Sequence, residues 1–547
     1  MNRNTQSHFS TIPSINISRS KFERPFDHKT TFNTGDLLIT YCDETIMPGD
    51  TIKMREAEVI RMLTPIAPVM DNIYMDTYFF FVPFRLLWEH WVNFYGENDT
   101  SPWTQTNDYT IPQIVAPDAG WSKGSIADYL GYPTKVGKYK GSALPFRAYV
   151  KIWNDWFRDE NLKNPAYMST GDSDTTGLNY DSSNYDYVTD TEKGAKLLKV
   201  AKSHDVFTSA LPEPQKGPDI AAPLGSTAPI IGTDNVATGE TPYSNMVGKE
   251  VYLDMGASST DTRFTLVENP SVALPGSQNL GLAADLSQAV GLSINQLRQA
   301  YAIQKYYENC ARGGTRYIES IKAHFNVNSS DARMQRSEYL GGKRINININ
   351  QIIQTEASQA GITPMGTAGA YSVTSDSNED LFTFSSEEHG ILMGVACVRT
   401  EHGYQQGLNR QHQMKNLFDF YTPELANLGE IQINNSEIFM SEPGSEGEKN
   451  DEAFGYQEAW YWYRYHQNRV SGTMRSNVDQ SLDIWHYADS YDELPKLSSE
   501  WIDEVEENVQ RTLAVQDEDQ FFGDFYFNPI YTRPMPLYSV PGLTGHY

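Results

Sequence analysis

The run from Arg344 to Ile353 holds a strict period of two. Ile345, Ile347 and Ile349 fall on one side, and Asn346, Asn348 and Asn350 on the other. A helix would scatter these residues around its axis. A strand places them on opposite faces, so the run predicts a strand half-buried against a core. It sets the theme for much of the chain.

Similar signals recur. Asp36 to Asp43 is rich in strand formers, and Pro48-Gly49-Asp50 marks a turn. Thr51 to Leu63 offers Ile52, Met54, Val59, Ile60 and Met62, but its alternation slips near Ala57, which predicts a bulge or twist there. Ile73 to Val82 is aromatic and apolar, and Pro83 stops it. Further strands are expected at Gly390 to Thr400 and Glu430 to Phe439. The run Ala459 to His466, AWYWYRYH, is aromatic at odd and even positions. It reads as a strand buried on both sides, as one lying at a subunit contact, or as a stacking platform for single-stranded DNA.

Helical patterns interrupt these strands. Phe84 to Tyr95 reads as a short helix with Leu87, Trp91 and Phe94 on one face. Pro145 to Leu162 reads as an amphipathic helix, with Phe146, Tyr149, Val150, Trp153, Trp156 and Phe157 along one stripe. Ser293 can cap a helix that runs to Arg312 and ends at Gly313-Gly314. Thr315 can cap another, with Ile318, Ile321 and Phe325 on its buried side. Asn164 to Asp190 and Pro218 to Leu280 lack either period and read as surface excursions. Within the second, Val251 to Leu253 and Arg263 to Val267 suit a short hairpin.

The two ends differ from the middle. Residues 1–29 are polar and lightly basic, with Pro13 and Pro25, and read as an extended arm. Residues 528–547 carry Pro529, Pro534, Pro536 and Pro541, a density that disfavours helix and central strand. They read as a second extended arm, gripping its own subunit or a neighbour through Tyr531, Tyr538, Leu543 and Tyr547. Many strands with long insertions fit a β-sandwich or jelly roll. At 547 residues, average domain size suggests three or four domains, but all-β domains with insertions exceed that average.

Chemistry is sparse. No HExxH, GxSxG, P-loop or paired CxxC pattern occurs. Cys42, Cys310 and Cys397 are odd in number and far apart, so they read as reduced residues of a cytoplasmic product. No signal-peptide pattern opens the chain, and the longest apolar runs are too short to cross a bilayer. Glu387-Glu388-His389 and Glu401-His402 bracket a strand, but adjacent strand residues point to opposite faces, so they read as solvated loop ends. Asp517-Glu518-Asp519 reads as an exposed acidic loop, with a cation as the other option. No catalytic, cofactor-binding or metal residues are assigned. The 33 Tyr, 24 Phe and 10 Trp suit either a large core or extensive subunit contacts.

A resemblance covers nearly the whole length. It runs through SRSKFERPFDHKTTFNTGDLL, MDNIYMDTYFFFVPFRLLWEHWVNFYGE, LPFRAYVKIWNDWFRDENL and HDVFTSALPEPQKG. It continues in the long stretch from Ile294 to Gly342, in GGKRININI, EHGYQQGLNR, FGYQEAWYWYRY and SLDIWHYAD, and ends in RPMPLYSVPGLTGHY. In these motifs the chain resembles the major capsid proteins of the Microviridae, in their gokushovirus branch. The resemblance implies an all-β fold with α insertions: an eight-stranded antiparallel jelly roll (a β-sandwich or barrel) carrying long loop and helical insertions. The expected layout is an arm at 1–29, a capsid domain at 30–527 and an arm at 528–547.

The resemblance further implies a T=1 icosahedral shell built of copies of this chain around a circular single-stranded DNA genome. By position, about Ser226 to Leu280 matches the insertion that forms three-fold protrusions, expected to meet a host surface receptor. A scaffolding protein during assembly is implied, as is assembly in the bacterial cytoplasm into a virion. Net charge is −27, whereas a free-standing nucleic-acid binder is usually basic. Genome neutralisation therefore calls for a separate small basic DNA-binding virion protein, or cations. Within this chain Arg19, Lys21 and Arg24 are the candidates for facing DNA. The competing reading is a carbohydrate-binding or carbohydrate-cleaving β-sandwich using exposed Trp and Tyr. Nothing in the sequence selects the two positioned carboxylates that cleavage needs.

Overall fold

Ten strands frame the molecule. They are β1 (Ser20–Glu23), β2 (Phe26–Phe32), β3 (Leu38–Ile46), β4 (Thr51–Met62), β5 (Ile73–Pro83), β6 (Glu338–Asn346), β7 (Thr374–Ser385), β8 (Gly390–Thr400), β9 (Phe521–Phe527) and β10 (Ile530–Arg533). The structure is a computed structural model. It describes residues 18–97, 109–179, 185–218, 294–314, 316–353, 368–445 and 447–539, with four short strands between 230 and 284.

The strands form two antiparallel sheets. One has the order β2-β9-β4-β7, with β10 pairing both β4 and β1. The other has the order β6-β5-β8-β3. Inward side chains of both sheets share one core, including Ile52, Met54, Phe79, Phe81, Leu392, Phe525 and Tyr531. Fully burying one such side chain contributes roughly 1.5–3 kcal/mol. A second core covers the other face of β5 and β8. There Phe80, Val82, Met393 and Val395 meet Phe146, Tyr149, Val150 and Trp153. Burial on both faces explains why β8 reads as a continuous apolar run rather than an alternating one.

Helix Leu144–Ile152 supplies that second layer and passes directly into a π-helical turn, Trp153–Phe157. The turn closes with the Arg158 N–H donating to the Trp153 carbonyl at 2.9 Å. The helical stripe therefore ends at Phe157, not Leu162. Phe84 to Tyr95 is likewise broken, into Phe84–Leu87 and Trp91–Phe94.

Several expectations change. β4 shows no bulge at Ala57: its inward positions run Ile52, Met54, Glu56, Glu58, Ile60, Met62 without interruption. The slip in the sequence is two glutamates facing inward. The register shift lies across from them in β7, between Asn378 and Phe382. The Ile–Asn run keeps its alternation but is shared by β6 and a separate strand, Ile349–Ile353. Glu430 to Phe439 is a strand only to Asn434, then one helical turn. AWYWYRYH is not a strand. It holds a 3-10 turn, Tyr461–Tyr463, entered through Trp460 at φ 67°. Of the segment expected as an amino-terminal arm, Ser20–Glu23 and Phe26–Lys29 lie in sheet. Of the segment expected as a carboxyl-terminal arm, Ile530–Arg533 is a strand inside the sheet, fitted between Pro529 and Pro534.

The chain divides into two units, residues 1–216 with 308–547, and residues 217–307. The smaller contains two short antiparallel pairs, Tyr252–Met255 with Phe264–Val267 and Ile230–Gly232 with Leu282–Ala284. The first pair is the expected hairpin. Residues 1–17 and 540–547, the caps Ser293 and Thr315, and the rest of Ser226 to Leu280 lie outside the described residues.

Candidate assembly surface

The segment between β8 and β9 rests on a buried polar centre. His402, two residues past β8, points Nδ1 at Asp489 and Nε2 at Glu504, each 3.0 Å away. Glu504 also accepts from the Thr400 N–H at 3.0 Å and the Thr400 hydroxyl at 2.7 Å. Burial alone would lower the His402 pKa, but the Asp489 and Glu504 charges overcome it and push it up to about 10. The ring is an imidazolium donating from both nitrogens. Burial would raise the Glu504 carboxyl, yet the His402 charge holds it below its usual range.

Here the expectation of solvated loop ends fails. Glu401 is exposed, but His402 is buried. Its carboxylate partners lie 87 and 102 positions further along the chain. Nothing in the local sequence points to them. At the other end of β8, Glu388 pairs with Arg85 at 2.6 Å, and His389 sits between Trp91 and Tyr95. The two clusters are separate. Among the described residues, no group of three or more His, Cys, Asp or Glu has a metal-binding arrangement.

Gly407 lets the chain cross the Glu437 carbonyl at a distance no side chain tolerates: a Cβ there would lie 1.9 Å from that oxygen. Beyond it, the chain turns outward. Asp419 ties the turn Leu417–Asp419 by accepting from the Lys415 and Asn416 N–H groups, both at 2.7 Å. Leu417, Phe418, Phe420 and Tyr421 are exposed, Phe418 by 74%. The Tyr421 ring lies 5.6 Å from Trp460 and 6.1 Å from Tyr463. Trp460 is buried and donates from Nε1 to the Leu425 carbonyl at 2.8 Å. A fixed indole thus backs the exposed Tyr421 and Tyr463 rings. Exposed apolar side chains grouped within one short turn are candidates for an interaction site. Phe325, expected on the buried side of its helix, is also 75% exposed.

The basic candidates near the start of the chain are drawn into the fold to different degrees. Arg19 donates to the Gly49 carbonyl, to the Thr51 hydroxyl at 2.9 Å and to the Thr532 carbonyl at 3.2 Å. Arg24 meets Asp43 at 2.6 Å and lies over the Tyr531 ring. The Lys21 side chain is 60% exposed, with Glu23 at 3.6 Å. In the sequence the three cations are equivalent. The structure separates two that brace the sheet from one that faces solvent.

Comparison with known proteins agrees with this architecture. A family profile described as "Capsid protein (F protein)" matches residues 10–543. Capsid protein VP1 of Bdellovibrio phage phiMH2K is 40% identical over 555 residues, covering 100% of this chain and 99% of that protein. Capsid protein VP1 of Spiroplasma virus 4 is 41% identical over 549 residues, covering 98% and 97%. Capsid protein VP1 of Chlamydia phage 1 is 37% identical over 595 residues, again covering 98% and 97%. Matches of this depth along the full length leave one assignment: the chain belongs to the F-protein family of phage capsid proteins, that of the Microviridae.

Proposed function

We propose that copies of this chain close into a T=1 icosahedral shell around a circular single-stranded DNA genome, each contributing a jelly-roll domain. The observation that carries the jelly-roll reading is the pair of strand orders, β2-β9-β4-β7 and β6-β5-β8-β3, eight long strands in two facing sheets. Full-length similarity to capsid proteins supports assembly as the purpose of the exposed surface. In an assembling protein, open sheet edges and apolar patches become joints closed by symmetry.

Three finer assignments follow the same reading. The segment from about Ser226 to Leu280 forms the three-fold protrusions and meets the host receptor; its length and polarity suit a recognition loop. Of the three basic candidates, Lys21 faces the genome as a nonspecific phosphate contact, while Arg19 and Arg24 hold the sheet beside it. A scaffolding protein guides assembly in the host cytoplasm, and a small basic protein neutralises the DNA that this acidic chain does not.

Expression of the chain with its viral companions, followed by electron microscopy, tests the shell. Closed T=1 particles are expected; material that stays solitary in every condition overturns the reading. Shortening Ser226 to Leu280 tests the loop. Intact particles with reduced adsorption are expected, and failure to form particles makes the segment architectural instead.

A further inference from the structure

Tyr421 and Tyr463 present rings to solvent around the fixed Trp460, and Phe418 and Phe420, in the same turn as Tyr421, are exposed as well. Surfaces of this kind hold proline-rich chain well. Pyrrolidine rings stack on aromatic faces, and the polyproline conformation is preformed, so little entropy is lost on docking.

The protein carries such a chain itself. Arg533 is anchored, donating to the Thr45 carbonyl at 3.0 Å. Past it come Pro534, Met535, Pro536, Leu537 and Tyr538, and Pro541 follows. Met535, Leu537 and Tyr538 are exposed, Tyr538 by 75%, so their own subunit does not seat them. The described chain ends at Ser539, and VPGLTGHY continues the sequence with Leu543 and Tyr547. The fourteen residues from Pro534 to Tyr547 reach at most about 50 Å when extended. That suffices to leave one copy and lie on another.

Charge favours the same occupant. Arg410 beside Trp462 is paired with Glu437 at 3.2 Å, and Arg464 beside Tyr463 is paired with Glu458. The guanidiniums bordering the rings are thus matched by carboxylates, which suits an uncharged partner better than a phosphate backbone. Pro534 to Tyr547 contains no Asp, Glu, Lys or Arg.

We propose that the proline-rich segment from Pro534 onward in one copy docks on the Phe418–Tyr421–Tyr463 surface of a second copy. The inference rests on the assembly reading above. Segment and surface differ, so each docking joins the end of one copy to a different face of the next, and it closes wherever its rotation matches a symmetry axis of the shell.

The test uses assembled particles of the full chain. Phe420→benzoylphenylalanine places a photo-cross-linker on the surface, and chains bearing it are co-assembled with isotopically heavy chains. Cross-links from position 420 of one isotope to peptides within 534–547 of the other are expected. Links confined to one chain, to any other peptide or to nucleic acid overturn the proposal. Independently, the double substitution Leu537→Ala and Tyr538→Ala should raise the protein concentration needed for assembly roughly tenfold or more, as loss of a buried aromatic anchor does. Its subunit urea midpoint should match the parent. An unchanged assembly threshold overturns the docking. A parent chain that yields no particles overturns the assembly reading and the docking with it, and is recognised before any variant is made.

Discussion

Tyr531 and Asp43 meet across the sandwich. The Tyr531 hydroxyl, in β10, donates to the Asp43 carboxylate, in β3 of the opposite sheet, at 2.6 Å. Tyr41 stands 2.8 Å from the same phenol, and Arg24 reaches Asp43 from the β1–β2 link. Both ends of the described chain are therefore fastened to one carboxylate. Burial would raise the Asp43 pKa, but hydrogen bonds from Thr45 and Tyr531 and the Arg24 charge hold it below its usual range.

Tyr531→Phe removes the phenol donor and keeps the ring. An unmet hydrogen bond to a buried carboxylate costs about 1–3 kcal/mol, so the urea midpoint of dissociated subunits should fall. The Asp43 contribution is present above the ordinary carboxylate range and lost as pH falls, so the variant should also narrow the gap between unfolding at pH 6 and pH 3. A variant as stable as the parent would show that β10 is held by its strand pairing alone.

Glu56, Glu58 and Lys343 form an unusual core cluster. Lys343 of β6 reaches Glu58 at 2.8 Å, Glu56 at 3.7 Å and Asp376 at 3.0 Å. Burial, then the Glu58 charge, pushes Glu56 up to about 8. Burial would lower Lys343, but Glu56 and Glu58 raise it. Folded protein thus keeps a proton on Glu56 that unfolded chain releases near 4.5. More protons are bound in the native state between those values, so stability falls as pH rises from about 4.5 to 8. Glu56→Gln should flatten that slope and gain roughly 1–3 kcal/mol at pH 8.5. Lys343→Met should lose roughly 3–5 kcal/mol, because it strands buried carboxylate charge. Urea unfolding at pH 5, 7 and 8.5 reads both, and a Glu56→Gln slope equal to the parent's would remove Glu56 as its source.

The same cluster shows where the sequence misleads. The Ile–Asn run and the apolar strand β8 were legible because their inward residues are apolar, so pattern and burial agree. At β4, two inward glutamates broke the pattern while the strand continued, because their countercharge comes from Lys343, some 285 residues away. AWYWYRYH looked like strand because aromatic residues favour strands. The left-handed backbone at Trp460 (φ 67°) and the indole bond to Leu425 turn it instead. Prolines 529 and 534 marked extended chain correctly, yet the four residues between them suffice for a strand. His402 was invisible as a buried group, since its carboxylates arrive from distant loops. The exposed row at Leu417 to Tyr421 also carried no signal, because apolar residues without strand or helix period normally indicate burial.

His402 gives a second pH dependence with a different window. Its folded pKa, about 10, lies above the ordinary histidine value of 6.5. Its stabilisation is fully present below 6.5 and lost as pH rises toward 10. Asp489 and Glu504 are held low by the same ring, so their contribution is present above about 4.5 and lost as pH falls. His402→Gln should abolish the loss between pH 7 and 10 and lower stability at pH 6 by roughly 3–5 kcal/mol, the cost of leaving buried carboxylates unpaired. Glu56→Gln acts mainly below pH 8, so the two variants separate the two slopes. A parent whose unfolding midpoint is flat from pH 7 to 9.5 would contradict an imidazolium at this site.

Substitutions at Lys21 and Arg24 test the proposed packaging role apart from folding. Lys21 is mostly exposed beside Glu23, and exposed charges away from buried networks change stability by about 0.5 kcal/mol or less. Arg24 instead neutralises the buried Asp43 and covers the Tyr531 ring. Lys21→Glu should therefore leave the particle melting temperature unchanged while lowering the DNA content per particle, read from the ratio of absorbance at 260 and 280 nm. Arg24→Gln should lower the subunit unfolding free energy in urea by about 1–3 kcal/mol, as loss of a charged hydrogen bond does. Any fall in its DNA content must then be judged against that weakened fold. Lys21→Glu particles with full DNA content would take Lys21 off the genome-facing surface and leave β1 with a structural task alone.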